Sequence, residues 1–443
     1  MKITIIGAGS MSFCPATVTD ISLSERLNGL DFEVCLMDIS KSALELSEDF
    51  AKKLKEKTGR SFKLWSTAEL EPALDGADFV ITAVEKDRRH YWSQDFHLPR
   101  RYGFRQVFGE NGGPAGMFHT LRNLQPMIHI ARRMEALCPN ALLINYTNPE
   151  AKLVEAISRL TKIRAVGVCH GFEMGADQIV KILKIPRKEL EVHGHGLNHF
   201  GFITAIKEKS TGKDLYPALI EAEKNLPWFY EFDEIALLRI MMRTYGLWPY
   251  PGTNHCGEYI AWAEAFLPSV NMQYFFDPAS EKPWEIREAP KFIYSLSRDY
   301  TKAVDYKERF TLKETLVPSG EMGIPIIEST FFDLNNDFDS LNLPNSGQMP
   351  GIMKDMCVEG PCKINKQGLF PEPVCELPTA VTTMINTQGA VHKLVIEAYA
   401  EKSRKKLLQA ILLDPCVSTY NNAVALINEM FTVQADILPN MDW

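Results

Sequence analysis

Short apolar runs alternate with longer amphipathic segments through the first half of the chain. "KITIIGA" at the start, "FEVCLMDI" (32–39), "ADFVITAV" (77–84), "ALLINYT" (141–147) and "RAVGVC" (164–169) have the length and β-branched content of buried strands. Between them, 41–58 is rich in Lys, Glu and Leu, and 117–137 repeats its apolar residues at helical spacing. Gln125–Pro126 is expected to kink or tighten that second helix. Strand–helix alternation of this kind predicts an α/β fold, a parallel sheet joined by crossover helices. The texture changes near residue 190. "HGHGLNHFGFITAIKEKSTGKDLY" alternates like antiparallel strands about a polar turn at Ser210–Lys213. Helical patterns follow at 217–244 and 255–267, then an irregular Pro/Asn/Gly-rich stretch over 333–378, then long helices to 430. The change suggests two domains, 1–190 and a mixed α+β domain over 191–443.

The 443 residues suffice for that division, and 45% hydrophobic with 23% charged residues is ordinary for a protein that buries a large core. A net charge of -8 argues against nucleic acid as a partner, because phosphate binding needs a basic face. No apolar run approaches the roughly 20 residues that cross a bilayer, so no membrane partner is expected. The apolar part of "MKITIIGAGS" is too short for a signal segment and ends in glycines. Nine scattered cysteines include no CxxC pair, which suits a reducing cytoplasm better than a disulfide framework. Cys357 and Cys362 fall in the irregular stretch and read as an incidental pair.

The first strand runs into Gly7-x-Gly9 and Ser10, and the second ends at Asp38. Glycines there permit a tight turn and close backbone approach, so a pyrophosphate can sit at the next helix N-terminus. An acid closing the second strand suits an unphosphorylated ribose, hence NAD. The plain alternative is a strand-to-helix turn with Asp38 as N-cap.

"VGVCHGF" places Cys169 and His170 at the end of a parallel strand, where open α/β sheets bind their ligands. Successive residues of an extended segment point to opposite sides, so this pair does not chelate one ion. If Cys169 is a ligand, its partner comes from elsewhere, and "GLNHFGF" offers His199; His193 and His195 alternate toward the same face. Taken singly, Cys169 reads equally as a buried thiol and His199 as a hydrogen-bonded strand histidine.

Taken together, the N-terminal GAGS, "GENGGPAGMFHTLRNLQPMIHIARRMEALCPNALLINYTNPE" (109–150), "GVCHGF" and "GLNHFGF" resemble glycoside hydrolase family 4, the NAD- and divalent-metal-dependent glycosidases. The likeness covers most of the chain. It implies a Rossmann-type domain related to lactate and malate dehydrogenases, with NAD and Mn²⁺ as cofactors. It also implies a route that avoids paired carboxylates: oxidation at sugar C3, deprotonation at C2, elimination, hydration and re-reduction. On this resemblance Cys169 and His199 hold the metal, and His170 is a candidate general acid or a sugar contact. Tyr259 is the favoured C2 base, with Tyr250 as alternative and His255 and Glu258 beside it on a turn that Thr253 would cap. Asn148 contacts a sugar hydroxyl or the nicotinamide, and Asn198 the substrate. Cys-His-Gly accompanies α-uronidases in the family, so an α-glucuronide or α-galacturonide is expected. Arg88, Arg89 and Arg105 are then available for its carboxylate. α-Galactosidase or α-glucosidase activity, or a plain 2-hydroxyacid dehydrogenase, are the alternatives. Family habit suggests a homodimer or homotetramer.

Overall fold

The computed structural model describes residues 1–226, 235–266 and 309–443. Its centre is the apolar runs of the first half, laid side by side. Strands β1 (Lys2–Ile6), β2 (Glu33–Met37), β3 (Lys63–Thr67), β4 (Phe79–Thr82), β5 (Leu142–Asn145) and β6 (Arg164–Gly167) pair in parallel, in the order β3-β2-β1-β4-β5-β6. That is the doubly wound order of dinucleotide-binding proteins. The five predicted parallel strands are all present, whereas the antiparallel strands that follow, Leu190–Leu197 and Phe200–Glu208, turn at Asn198–His199 and not at Ser210–Lys213. β3 was not anticipated: "KLWST" is a partly exposed edge strand without an apolar run.

The sheet does not stop at β6. It continues through β10 (Asn336–Pro344), β11 (Cys357–Asn365), β7 (Leu190–Leu197), β8 (Phe200–Glu208) and β9 (Trp248–Tyr250), with β12 (Gly368–Pro371) paired to β11. The stretch 333–378 therefore holds three strands where irregular chain was expected. Its prolines misled the reading by sitting at harmless places. Pro344 and Pro371 close their strands, and Pro361 falls at the register shift between β10 and β11, where no ladder donor is needed.

Ser40 caps the helix Lys41–Thr58 by accepting from the Ala43 amide, and Gly59 ends it in the left-handed region. Helix Gly113–Leu137 starts four residues before its predicted limit of 117. Its Leu121, Leu124 and Met127 are fully buried, worth about 2 kcal/mol each on the scale of apolar area removed from water. The helical pattern over 217–244 resolves into Tyr216–Lys224 and Ala236–Tyr245, with 227–234 outside the described residues. That over 255–267 gives only Thr253–Gly257 and the 3₁₀ turn Ala263–Phe266, and residue 267 lies outside the described chain.

One row of cross-strand neighbours positions the site. From the carboxyl edge of the parallel strands it passes through Ile6, Thr82, Asn145, Gly167, Asn342, Glu359, Gly196, Gly201 and Tyr250. Two of its glycines make room for side chains lying across the sheet. A Cβ on Gly167 would meet Glu150 Oε1 at 1.1 Å, and one on Gly201 would meet Tyr250 Cζ at 2.1 Å.

Candidate active site

At the carboxyl edge of β1 the chain turns through Gly7 with φ +86°, where a Cβ would lie 2.2 Å from the Ala83 carbonyl oxygen. Gly9 donates its amide to Asp38 Oδ2 at 2.8 Å, and a Cβ there would meet Ala43 Cβ at 2.7 Å. Asp38 Oδ1 accepts from Ser40, the true helix cap, so the N-cap reading of Asp38 does not hold. Ser10 closes the turn, donating to the Gly7 carbonyl at 2.9 Å and accepting from Phe13 at 3.3 Å. These residues leave bare backbone beside an acid at the head of helix Phe13–Leu23, a cradle that fits a dinucleotide.

Two residues beyond β6, Cys169 Sγ lies 3.5 Å from His199 Nε2. His199 occupies the second corner of the two-residue turn between β7 and β8, in the left-handed region at φ +64°. A non-glycine residue held there is strained, and such strain gathers at functional sites. Burial, then the neighbouring His255, pushes the His199 pKa down to about 3, so its ring is neutral. Its Nδ1 faces the Asn111 amide at 2.8 Å and Glu110 Oε2 at 3.7 Å. The ring is thereby fixed with Nε2 toward the sulfur. Burial, then Glu359, pushes the Cys169 thiol up to about 12, so a thiolate there requires a cation. A thiol and a neutral imidazole facing one another fit a metal with open positions.

Glu110 and Asn111 are held from below. The Glu258 carboxylate accepts from the backbone amides of both, and a Cβ on Gly112 would strike Glu258. Among the described residues Glu110, His199 and His255 also bring donor atoms within 4.8 Å of one another. Burial works against ionising Glu110, but the Arg88 guanidinium bonded to it outweighs this and lowers the carboxyl. Lys152, buried, donates to the Asn111 carbonyl from the other side.

The remaining predicted residues are placed unequally. His170 Nε2 contacts Glu321 Oε1 at 2.9 Å, and that hydrogen bond raises its pKa. Asn148 donates to Glu110 Oε1 at 3.3 Å, beside the pair. Asn198 donates to Glu359 Oε2 at 2.9 Å. Arg88 reaches the site but is taken: it bridges Glu85 at 2.5 Å and Glu110, and covers the Trp92 ring at 4.3 Å. Arg105 is exposed beside Glu264 at 4.0 Å, and the Arg89 side chain lies outside the described residues. Gly171 has room for a Cβ, with Pro251 at 3.6 Å and Cys169 Sγ at 3.7 Å.

Tyr259 is poorly placed as a base. Its hydroxyl donates to the Asn198 carbonyl at 3.5 Å, its ring packs on Phe200, and burial and then Glu258 push the phenol well above its ordinary range. Tyr250 lies flat across Gly194 and Gly201, with its pKa likewise raised by burial and Glu359. His193 bonds Glu191 and His195 bonds Thr204, and neither joins His199. Sequence reasoning missed Glu110, Asn111, Glu150 and Glu359. Glu110 and Asn111 stand in "GENGG", where two acid-or-amide residues among glycines are the visible signal; for Glu359 the only signal is its burial.

A doubly wound nucleotide fold with a thiol–imidazole pair at its carboxyl edge defines a dehydrogenase-like enzyme scaffold. The family comparison makes this specific. Residues 2–185 match the profile described as family 4 glycosyl hydrolase, and 195–417 its C-terminal domain. The chain belongs to the family 4 glycosyl hydrolases and is a glycosidase. Similar curated proteins include an alpha-glucosidase of Erwinia rhapontici, 28% identical across 98% of this chain and 96% of that one. An alpha-galacturonidase of Thermoanaerobacter italicus is 29% identical across 97% and 96%. Among solved structures, a 6-phospho-alpha-glucosidase from gut microorganisms, in complex with NAD and Mn2+, superposes with a TM-score of 0.80 at 21% identity, over 100% of this chain and 99% of that one. A malate dehydrogenase of Plasmodium falciparum shares the fold at a TM-score of 0.50 and 13% identity, over 90% and 98%.

Proposed function

We propose that the protein hydrolyses α-glycosides by transient oxidation of the sugar, with NAD⁺ in the Gly7–Gly9–Asp38 cradle and Mn²⁺ between Cys169 and His199. The observation that carries this reading is the 3.5 Å approach of Cys169 Sγ to His199 Nε2 on the same sheet edge as the nucleotide turn. When bound, NAD⁺ supplies a hydride acceptor at C3 and Mn²⁺ a Lewis acid for the sugar oxygens. With Glu110 accepting from Nδ1–H, His199 would offer the Nε2 lone pair to the metal. Asn148, tied to Glu110, orients the sugar or the nicotinamide, and Asn198 contacts the substrate. His170, held by Glu321, donates the proton to the leaving oxygen.

For the C2 base we place His255 ahead of Tyr259. Burial lowers its pKa and keeps it neutral, its Nδ1 has no hydrogen-bond partner among the described residues, and its ring centroid is 4.2 Å from that of His199. The substrate class we propose is an α-uronide, on the strength of Cys-His-Gly. Neutral α-glucosides or α-galactosides are the second reading, favoured by Arg88: with Glu85 and Glu110 already on it, little positive charge remains for a substrate carboxylate. In this reading 1–190 carries the nucleotide and 191–443 supplies His199 and His255. A cytoplasmic location and assembly as a dimer or tetramer complete it. Exposed Leu412, Leu413 and Tyr420 on the C-terminal helices support assembly, and no helix among the described residues is long and apolar enough to cross a membrane.

The test is nitrophenol release from 4-nitrophenyl α-glucoside, α-galactoside, α-glucuronide and α-galacturonide, with NAD⁺, Mn²⁺ and a thiol reductant each omitted in turn. Release that needs all three, without NADH accumulating, is expected. Stoichiometric NADH with no nitrophenol would instead mark a simple dehydrogenase.

A further inference from the structure

We infer that Glu150 and Glu359 are the buried negative charges that draw the cation to Cys169 and His199, with Asn198 linking Glu359 to the thiol. The inference rests on the metal reading above and assigns a task to two residues outside it.

Glu359 stands on the row of cross-strand neighbours, and the Glu150 carboxyl lies against Gly167 of that row. Glu150, fully buried, is the first residue of the helix Glu150–Leu160 that follows β5, and its Oε1 occupies the space that a side chain on Gly167 would need. Cys169 stands two positions beyond Gly167, so the chain alternates back to the same side. Glu359 is fully buried, paired across β10 with Asn342 and across β7 with Gly196. Asn198 stands two residues beyond Gly196 and immediately before His199. It donates to Glu359 Oε2 at 2.9 Å and also hydrogen-bonds the Cys169 thiol. Asn342 donates to the same Oε2 at 3.3 Å.

The arrangement lacks a positive charge. Glu150 Oε1 and Oε2 and Glu359 Oε1 have no hydrogen-bond partner among the described residues. Burial and then Glu359 raise the Glu150 carboxyl well above its ordinary range, and burial raises that of Glu359 against the pull of its hydrogen bonds, so the pair lacks a counter-charge. Acids are almost never buried in this way without a partner. Both carboxylates act electrostatically on Cys169. A dication beside that sulfur supplies the missing charge, and the hard oxygen environment suits Mn²⁺ where a thiol and imidazole alone favour softer ions.

Glutamine separates charge from shape. Glu359→Gln keeps an acceptor for Asn198, and Glu150→Gln loses no hydrogen bond. Mn²⁺ binding to the full chain, with NAD⁺ present, is measured by titration calorimetry. Each variant is expected to bind Mn²⁺ about 10–100-fold more weakly, the usual cost of removing a group that supports a metal's ligands. NAD⁺ affinity should stay within about twofold of wild type, since the cradle is untouched. Glu359→Asp, which restores the charge, should recover part of the loss. If both glutamine variants are folded by circular dichroism and bind Mn²⁺ within about fivefold of wild type, the inference is overturned. Either variant alone decides the matter should the other fail to fold. Failure of the underlying reading looks different: wild type itself would bind no Mn²⁺, or bind it unchanged after Cys169→Ser.

Discussion

Cys169 Sγ and His199 Nε2 meet at 3.5 Å although thirty positions separate them in the chain. β6 delivers the sulfur, and the strained corner between β7 and β8 delivers the nitrogen. The two strands are joined through β10 and β11 in one sheet, which anchors the segment beyond β6 and the two-residue turn beyond β7 that carry the two side chains. Each side chain is therefore expected to be indispensable for the ion. Cys169→Ser and His199→Ala should each raise the Mn²⁺ Kd by roughly 100-fold or more, because a site with so few protein ligands loses half of them. Electron paramagnetic resonance of free Mn²⁺ checks this. Unchanged binding in Cys169→Ser would remove the sulfur from the site.

The bases can be told apart. His255→Gln should lower kcat by about 10²–10⁴-fold, the range for a lost general base. Tyr259→Phe should stay within about threefold, since its hydroxyl is spent on the Asn198 carbonyl. Steady-state kinetics under saturating NAD⁺ and Mn²⁺ decide it, and the opposite ranking returns the role to Tyr259.

The nucleotide turn has no spare volume. Gly9→Ala places a methyl 2.7 Å from Ala43 Cβ and 2.9 Å from Asp38 Oδ2. NAD⁺ affinity should fall at least about tenfold, or 1.4 kcal/mol. Asp38→Ala should weaken NAD⁺ and narrow its advantage over NADP⁺, because the acid that disfavours a 2′-phosphate is gone. Fluorescence titration with both cofactors measures the two effects.

Asp414 gives the fold a pH dependence of definite sign. Burial raises its carboxyl from 3.8 to about 6, so the folded chain holds this proton more tightly than the unfolded chain. The stabilisation is complete below about 3.8 and disappears as pH rises through about 6, a change of about 3 kcal/mol. Asp414→Asn keeps the acceptor for the Cys416 amide and removes the titration. Urea unfolding from pH 4 to 8 should show wild type losing ground to the variant as pH rises. A constant difference would show that Asp414 does not titrate there.

Much of this was legible in the sequence where one physical signal dominates. The five apolar runs could only be buried strands, and their alternation with helices allowed little besides a parallel sheet. Cys169 was visible for the same reason, as a reactive side chain at the end of such a strand. β3 and β10–β12 were not, because an edge strand needs no apolar run and because Pro344, Pro361 and Pro371 mimic loop composition while occupying strand ends and a register shift. His199 was found through its motif, but Glu150 and Glu359 have no spacing to betray them. They are 209 positions apart and meet near Cys169 only through the β6–β10–β11 register. Arg88 shows the converse error. Its charge suits a substrate carboxylate, but in the structure that charge is already shared by two carboxylates.

The central claim is that bond cleavage passes through oxidation of the sugar and loss of the C2 proton. Hydrolysis of the preferred 4-nitrophenyl α-glycoside in D₂O, with NAD⁺ and Mn²⁺, tests it most directly, the released sugar being read by NMR. The account predicts deuterium at C2 of the product and no reaction without NAD⁺. Sugar released with hydrogen retained at C2, at a rate indifferent to NAD⁺, would contradict it.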